Sequence, residues 1–134
     1  MHVCYLDAVA GEHFPSGRWT RLLAGATSDI QPDQFVVGYS VVRPGGGIPA
    51  HQHVNEEVYV LLSGTADMVV GNEQAILSSM VAIYIPPNMT HQLTNVGDDD
   101  LHLLFIYAPP GIMEHWQAER NGQLAMRHER GMLR

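Results

Sequence analysis

From Phe35 to Ala108 the chain is cut by glycine, proline or asparagine turns, and the runs between the cuts are short and β-rich. The runs are Phe35 to Arg43, closed by Pro44-Gly45-Gly46-Gly47, then Ile48 to His53, Glu57 to Ser63, and Ala66 to Val70, which ends on the hairpin pair Gly71-Asn72. Gln74 to Leu77, Met80 to Ile85, His91 to Asn95 and Leu101 to Ala108 complete the series. Strands recurring at roughly ten-residue spacing with such turns indicate an all-β sandwich or barrel. Three stretches are expected within one domain. Residues 1–34 form N-terminal strands or an arm, with a strand near Trp19 to Leu23. Residues 35–111 form the barrel. Residues 112–134 form a short C-terminal helix, Ile112 to Arg120, and a polar tail, once Pro109-Pro110-Gly111 has stopped the sheet.

The 134 residues suit a single domain. The longest apolar stretches, such as Phe35 to Val42 and Leu103 to Tyr107, are far short of the ~18–20 residues that a membrane span needs. A single cysteine, Cys4, excludes an internal disulfide and any multi-cysteine metal cluster. With no basic region at the N-terminus, no leader is expected, and a reducing, cytoplasmic setting follows.

All seven basic residues are arginine, which removes Schiff-base chemistry and the P-loop. Residues 44–119 hold no basic residue and nine acids: Glu56, Glu57, Asp67, Glu73, Asp98, Asp99, Asp100, Glu114 and Glu119. Nucleic acid is a poor partner for such a stretch, because phosphate contacts supply most of that affinity.

His51 and His53 are two apart, so on one strand they project from the same face. Glu57 opens the next run and is expected on the hairpin partner. His91 follows Pro86-Pro87-Asn88-Met89-Thr90 and is expected across the barrel. Three imidazoles and a carboxylate make a ligand set for one divalent transition metal (Fe, Mn, Ni, Zn, Co or Cu) that leaves one or two positions open, the mark of a catalytic site. His2, His13, His102, His115 and His128 are expected at the surface or in ordinary satisfied environments.

Gly45-x5-His51-x-His53-x3-Glu57-x6-Gly64 resembles the first motif of the cupin family at every signature position, and Pro86-x-Asn88-x2-His91-x3-Asn95 resembles the second. The 15 residues between Gly64 and Met80 are similar to the compact spacing of small microbial cupins. The resemblance covers about residues 35–108. It implies a double-stranded β-helix, or jelly-roll barrel, of two packed antiparallel sheets, and a metal on His51, His53, Glu57 and His91. Two positions depart from the pattern, which usually has glycine where Asn88 and Met80 stand. Asparagine tolerates the left-handed conformation best among the other residues. Methionine does not, so Ser78-Ser79 are expected to remake that turn.

Tyr59 shares the strand face of Glu57, so its phenol is expected to point inward. There it is either a core aromatic or a base beside the metal. The position resembles that of the tyrosine base in compact cupin-type dimethylsulfoniopropionate lyases. Catalytic roles are therefore expected for Tyr59 and Glu57. Arg43 either reaches the cavity or faces solvent at the strand end. Trp116 either caps a barrel mouth or packs the helix down. Three readings stay open: a metal-dependent lyase or isomerase that abstracts a proton from a neutral or zwitterionic small molecule, a metal-dependent dioxygenase, and a non-catalytic cupin binding a small molecule or metal. The apolar residues among 1–10 point to a homodimer, through a strand paired with a neighbouring subunit.

Overall fold

The computed structural model describes residues 1–111, 114–124, 126–128 and 132–133. The strands are β1 (Glu12–His13), β2 (Arg18–Ala24), β3 (Val36–Val42), β4 (Gly47–His51), β5 (Glu56–Ser63), β6 (Thr65–Val70), β7 (Glu73–Ser78), β8 (Val81–Ile85), β9 (His91–Asn95) and β10 (Leu101–Ala108). One helix, α1 (Glu114–Arg120), and two short strands, β11 (Arg127–His128) and β12 (Met132–Leu133), follow. Ile112 and Met113, where the sequence starts the helix, lie outside the described residues.

A six-stranded sheet runs β1-β2-β3-β10-β5-β8, and a four-stranded sheet runs β4-β9-β6-β7. Both are antiparallel throughout. Their inner faces supply the core. Val36 and Val42 of β3, Tyr59 and Leu61 of β5, and Leu101, Leu103, Phe105 and Tyr107 of β10 meet Ile48, Ala66, Met68 and Leu93 of the smaller sheet. β10 alternates buried and half-buried from Leu101 to Ala108, the period-2 signature of a strand with one face inward. Each fully buried leucine contributes about 1.5–3 kcal/mol of burial free energy. Gly38 is required by packing. The Phe105 ring lies where a Cβ on Gly38 would sit, so any larger residue would push β3 off β10.

Gly64 carries the chain from one sheet to the other. With φ of 106° it lets β5 end at Ser63 and β6 start at Thr65. Asn88, at φ 61°, is the described non-glycine residue with positive φ, as the asparagine-for-glycine departure implied. Met80 has no such φ, and the turn at Ser79-Met80 is made with a cis peptide. Residues 1–10 hold a 3-10 turn at Leu6–Ala8 and no strand. The arm lies along its own β2, with the Trp19 indole donating to the Ala10 carbonyl (2.8 Å) and Arg21 to that of Leu6 (3.4 Å).

Candidate metal centre

The four expected ligands converge, by a route that differs from the sequence reading. β4 and β5 belong to different sheets, so Glu57 is not on a hairpin partner of the histidine strand; it faces the histidines from the opposite sheet. His91 does not lie across the barrel from His51. The two are register partners on the adjacent strands β4 and β9. His51 closes β4, and His53 falls beyond it, in the connection to β5. One ligand atom from each of His51, His53, Glu57 and His91 lies within 4.8 Å of all the others.

Backbone carbonyls fix the imidazoles. Nδ1 of His51 lies 2.6 Å from the Pro49 carbonyl, that of His53 2.9 Å from Asn55, and that of His91 2.8 Å from Met89. A carbonyl can only accept, so each Nδ1 carries the hydrogen and donates. Each Nε2 is thereby left to face its neighbours, the tautomer that a metal-ligating histidine needs. The turn before β9 serves two ligands at once: the Asn88 amide donates to the His53 carbonyl (2.7 Å), and the next residue supplies the acceptor for His91.

The charge pattern also suits a cation. His91 Nε2 is buried without a hydrogen-bond partner, 3.5 Å from Glu57 Oε1. Burial works to raise the Glu57 pKa, yet the hydrogen bond with His53 and the neighbouring His53 and His91 imidazoles carry it below its ordinary value. Burial also opposes charge on His53, but Glu57, 3.0 Å from its Nε2, lifts its pKa above the ordinary value. Burial, reinforced by His115 and His91, drives His51 well below its ordinary value, so it stays neutral. A lone pair without a partner, a carboxylate and two further imidazoles in one buried cluster form an N₃O donor set that fits a divalent transition metal.

The cavity beside this cluster is lined by Arg18, Ile48, His51, Glu57, Tyr59, Phe105, His115 and Trp116. Tyr59 is buried and faces it, as expected. Burial, and secondarily the Glu57 charge, push its phenol well above the ordinary range. Tyr107 is pushed up to about 12 by the same two causes in the same order. Trp116 is part of the wall. Arg43 is not; it is exposed at the end of β3, beside Gly17.

Two cavity residues depart from the sequence reading. His115 is no surface histidine. Its ring stacks on that of His51, with centroids 3.7 Å apart and planes at 19°, and burial first, then the Arg18 charge, lower its pKa to about 2. Arg18 brings a cation into a region whose own sequence has none. That cation is fully committed: Nε and Nη2 donate to the Glu119 carboxylate (2.8 and 2.6 Å), and Nη1 donates to Thr20. Ser16 adds a further hydrogen bond to Glu119 (2.7 Å). Spacing on α1 held the signal. His115, Trp116 and Glu119 are three and four apart, hence on one helix face. His102, by contrast, is an ordinary satisfied histidine, 2.6 Å from the Tyr39 hydroxyl.

Two facing antiparallel sheets with a His₃Glu cluster at one end define a β-barrel protein with a candidate metal centre. Residues 38–107 match the cupin domain model, more than half of the chain, and the chain belongs to the cupin family. An RmlC-like cupin of Shewanella frigidimarina superposes with a TM-score of 0.71 at 14% identity, over 86% of this chain and 96% of that one. A structure described as that of DMSP lyases superposes with a TM-score of 0.65 at 24% identity, over 84% of this chain and 57% of that one. Among curated proteins, a mannose-1-phosphate guanylyltransferase of Sinorhizobium fredii is 34% identical over 83 residues, 61% of this chain but 16% of that protein. The chain spans less than two thirds of the length of the first curated relatives it matches.

Proposed function

We propose that the chain is a metal-dependent small-molecule enzyme, a lyase or isomerase that removes a proton from a neutral or zwitterionic substrate. One observation carries this reading: the buried Tyr59 phenol lines the ligand cavity beside Glu57, with no hydrogen bond from any described residue to hold it there. When bound, a divalent transition metal supplies the Lewis acidity that polarises a carboxylate or carbonyl and acidifies the adjacent C–H. His51, His53, Glu57 and His91 would hold it. Tyr59 keeps its proton in the protein as it stands, because burial and Glu57 both disfavour the phenolate. Positive charge at the His₃Glu cluster would oppose the effect of Glu57 and favour the phenolate, the form in which Tyr59 would take the substrate proton. His115, held neutral, stacks on His51 in the cavity wall and adds no positive charge there.

Tyr59→Phe tests the reading. Metal content should stay full while turnover falls by a factor of about 10²–10⁴, the usual contribution of a positioned acid or base. A Tyr59→Phe protein that keeps its activity and consumes oxygen would move the reading to a dioxygenase. His91→Ala is the control on the metal itself: its occupancy, measured by elemental analysis, should fall to background. Full occupancy in that variant would remove the site.

A further inference from the structure

The cavity at the metal centre has room for little more than one or two waters, so an organic substrate that reaches Glu57 and Tyr59 must place most of its body elsewhere. A second cavity, of about 550 Å³, lies between the N-terminal arm, β2 and α1. Trp116 forms a wall of both. Its indole is held edge-on between Phe14 and Phe105, with centroids 6.0 and 6.4 Å away. The larger volume falls within the range of about 300–1,000 Å³ typical of small-molecule sites.

We propose that the cavity between the N-terminal arm and α1 is the body-binding chamber of the metal centre, with Trp116 as the gate between them. The lining gives the ligand class. Val9, Leu22, Phe14 and Ala8 make it largely apolar. Of its three charged residues, Glu12 and Arg120 neutralise each other through bonds of 2.6 and 3.0 Å, which leaves Asp29. The chamber therefore carries one net negative charge and takes a compact apolar body that is uncharged or cationic. The metal end takes a carboxylate or carbonyl. This assignment rests on the proposed metal-dependent reading and specifies its substrate: a small acid or carbonyl compound bearing an alkyl or onium group.

The full-length chain loaded with Ni(II) tests it with two readouts, neither of them activity. One is the rate at which EDTA extracts the nickel. The other is calorimetric binding of 4-(trimethylammonio)butanoate. Trp116→Ala should speed extraction at least tenfold. Ala8→Trp, a surface change that fills the chamber, should slow extraction and weaken probe binding at least tenfold. Extraction and binding unchanged in Ala8→Trp would overturn the chamber. So would the same result with an altered oligomeric state, which would mark the cavity as covered by a second copy of the chain. No probe binding to the wild type overturns the ligand class. A wild-type chain that takes up no nickel overturns the metal reading beneath it, a different failure from the others.

Discussion

At the residue scale the centre is a set of imidazoles that disagree about protons. His51 and His115 are buried neutral, with pKa values below the ordinary 6.5, and His115 is lowered to about 2. In the unfolded chain both take up a proton near 6.5. Their neutrality therefore supports the fold fully above pH 6.5, and that support is lost as pH falls below it, at about 1.4 kcal/mol per pH unit for each group. His53 has the opposite sign: its raised pKa adds stability that is complete below 6.5 and fades as pH rises through the folded value. Below 6.5 its contribution is constant and does not offset the other two. Glu57, with its pKa lowered from 4.5, adds a further loss only in more acid solution. Metal-free protein melted at steps between pH 8 and 5 should lose thermal stability progressively below about 6.5. A flat profile would show that the two imidazoles are hydrated, not buried neutral. The ligand residues were legible in the sequence because H-x-H, glutamate and a third histidine behind a proline turn are strong chemistry at short spacing. His115 was only half legible: the spacing puts it on one helix face with Trp116 and Glu119, but nothing in the sequence says which surface that face covers.

At the element scale the strands follow the turns closely. β9 and β10 have the boundaries that their flanking glycine, proline and asparagine residues dictate, and the other barrel strands differ by one or two residues. Pairing was less legible. The wrong partner for β4 came from assuming that neighbours in sequence pair in space; that holds for β2-β3 and β6-β7, but the chain crosses to the opposite sheet between β4 and β5. The placement of α1 rests on ion pairs that form only in the folded chain. Arg18–Glu119 is almost fully buried, with side-chain exposures of 3% and 1%, whereas Arg120–Glu12 sits at 40% and 39%. Removing one partner of a buried pair strands the other without water, at a cost of about 3–5 kcal/mol. An exposed pair contributes about 0–1 kcal/mol. Arg18→Ala and Glu119→Ala should therefore each destabilise by several kcal/mol in urea unfolding, and Arg120→Ala by less than about 1 kcal/mol. Equal effects at the two pairs would mean that α1 is not docked through Arg18.

At the scale of the whole molecule, net charge and its placement decide what approaches the site. The arm leaves Val3 and Tyr5 exposed at 52% and 75% while remaining tied to its own β2. We propose a homodimer in which a second copy packs on the exposed sides of these side chains and leaves the cavity beneath them open; light scattering should report twice the chain mass, and a monomer at working concentration would remove the proposal. Substrate charge follows from the acids. Of the nine in residues 44–119, Glu57 is inside the ligand cluster and Glu119 is neutralised by Arg18, so neither adds to the outer field. Of the other seven, the six whose side chains are described, Glu56, Asp67, Glu73, Asp98, Asp99 and Asp100, remain toward solvent, and residues 44–119 contain no Lys or Arg to balance them. Such a surface repels polyanions at low salt. Inside the cavity a phosphate finds Arg18 already occupied, since Glu119 and Thr20 take its donors. A phosphosugar has only the metal to hold it there, and its second negative charge faces the field without compensation. A thermal-shift screen of the metal-loaded protein at low ionic strength should therefore show no larger stabilisation by a phosphosugar than by its unphosphorylated counterpart, and more by an onium carboxylate. A phosphosugar that binds more tightly would mean that it displaces Glu119 from Arg18, opens α1 and turns the site into that of a sugar-phosphate isomerase. Glu119→Gln would then bind the phosphosugar still more tightly, because the competing carboxylate is gone.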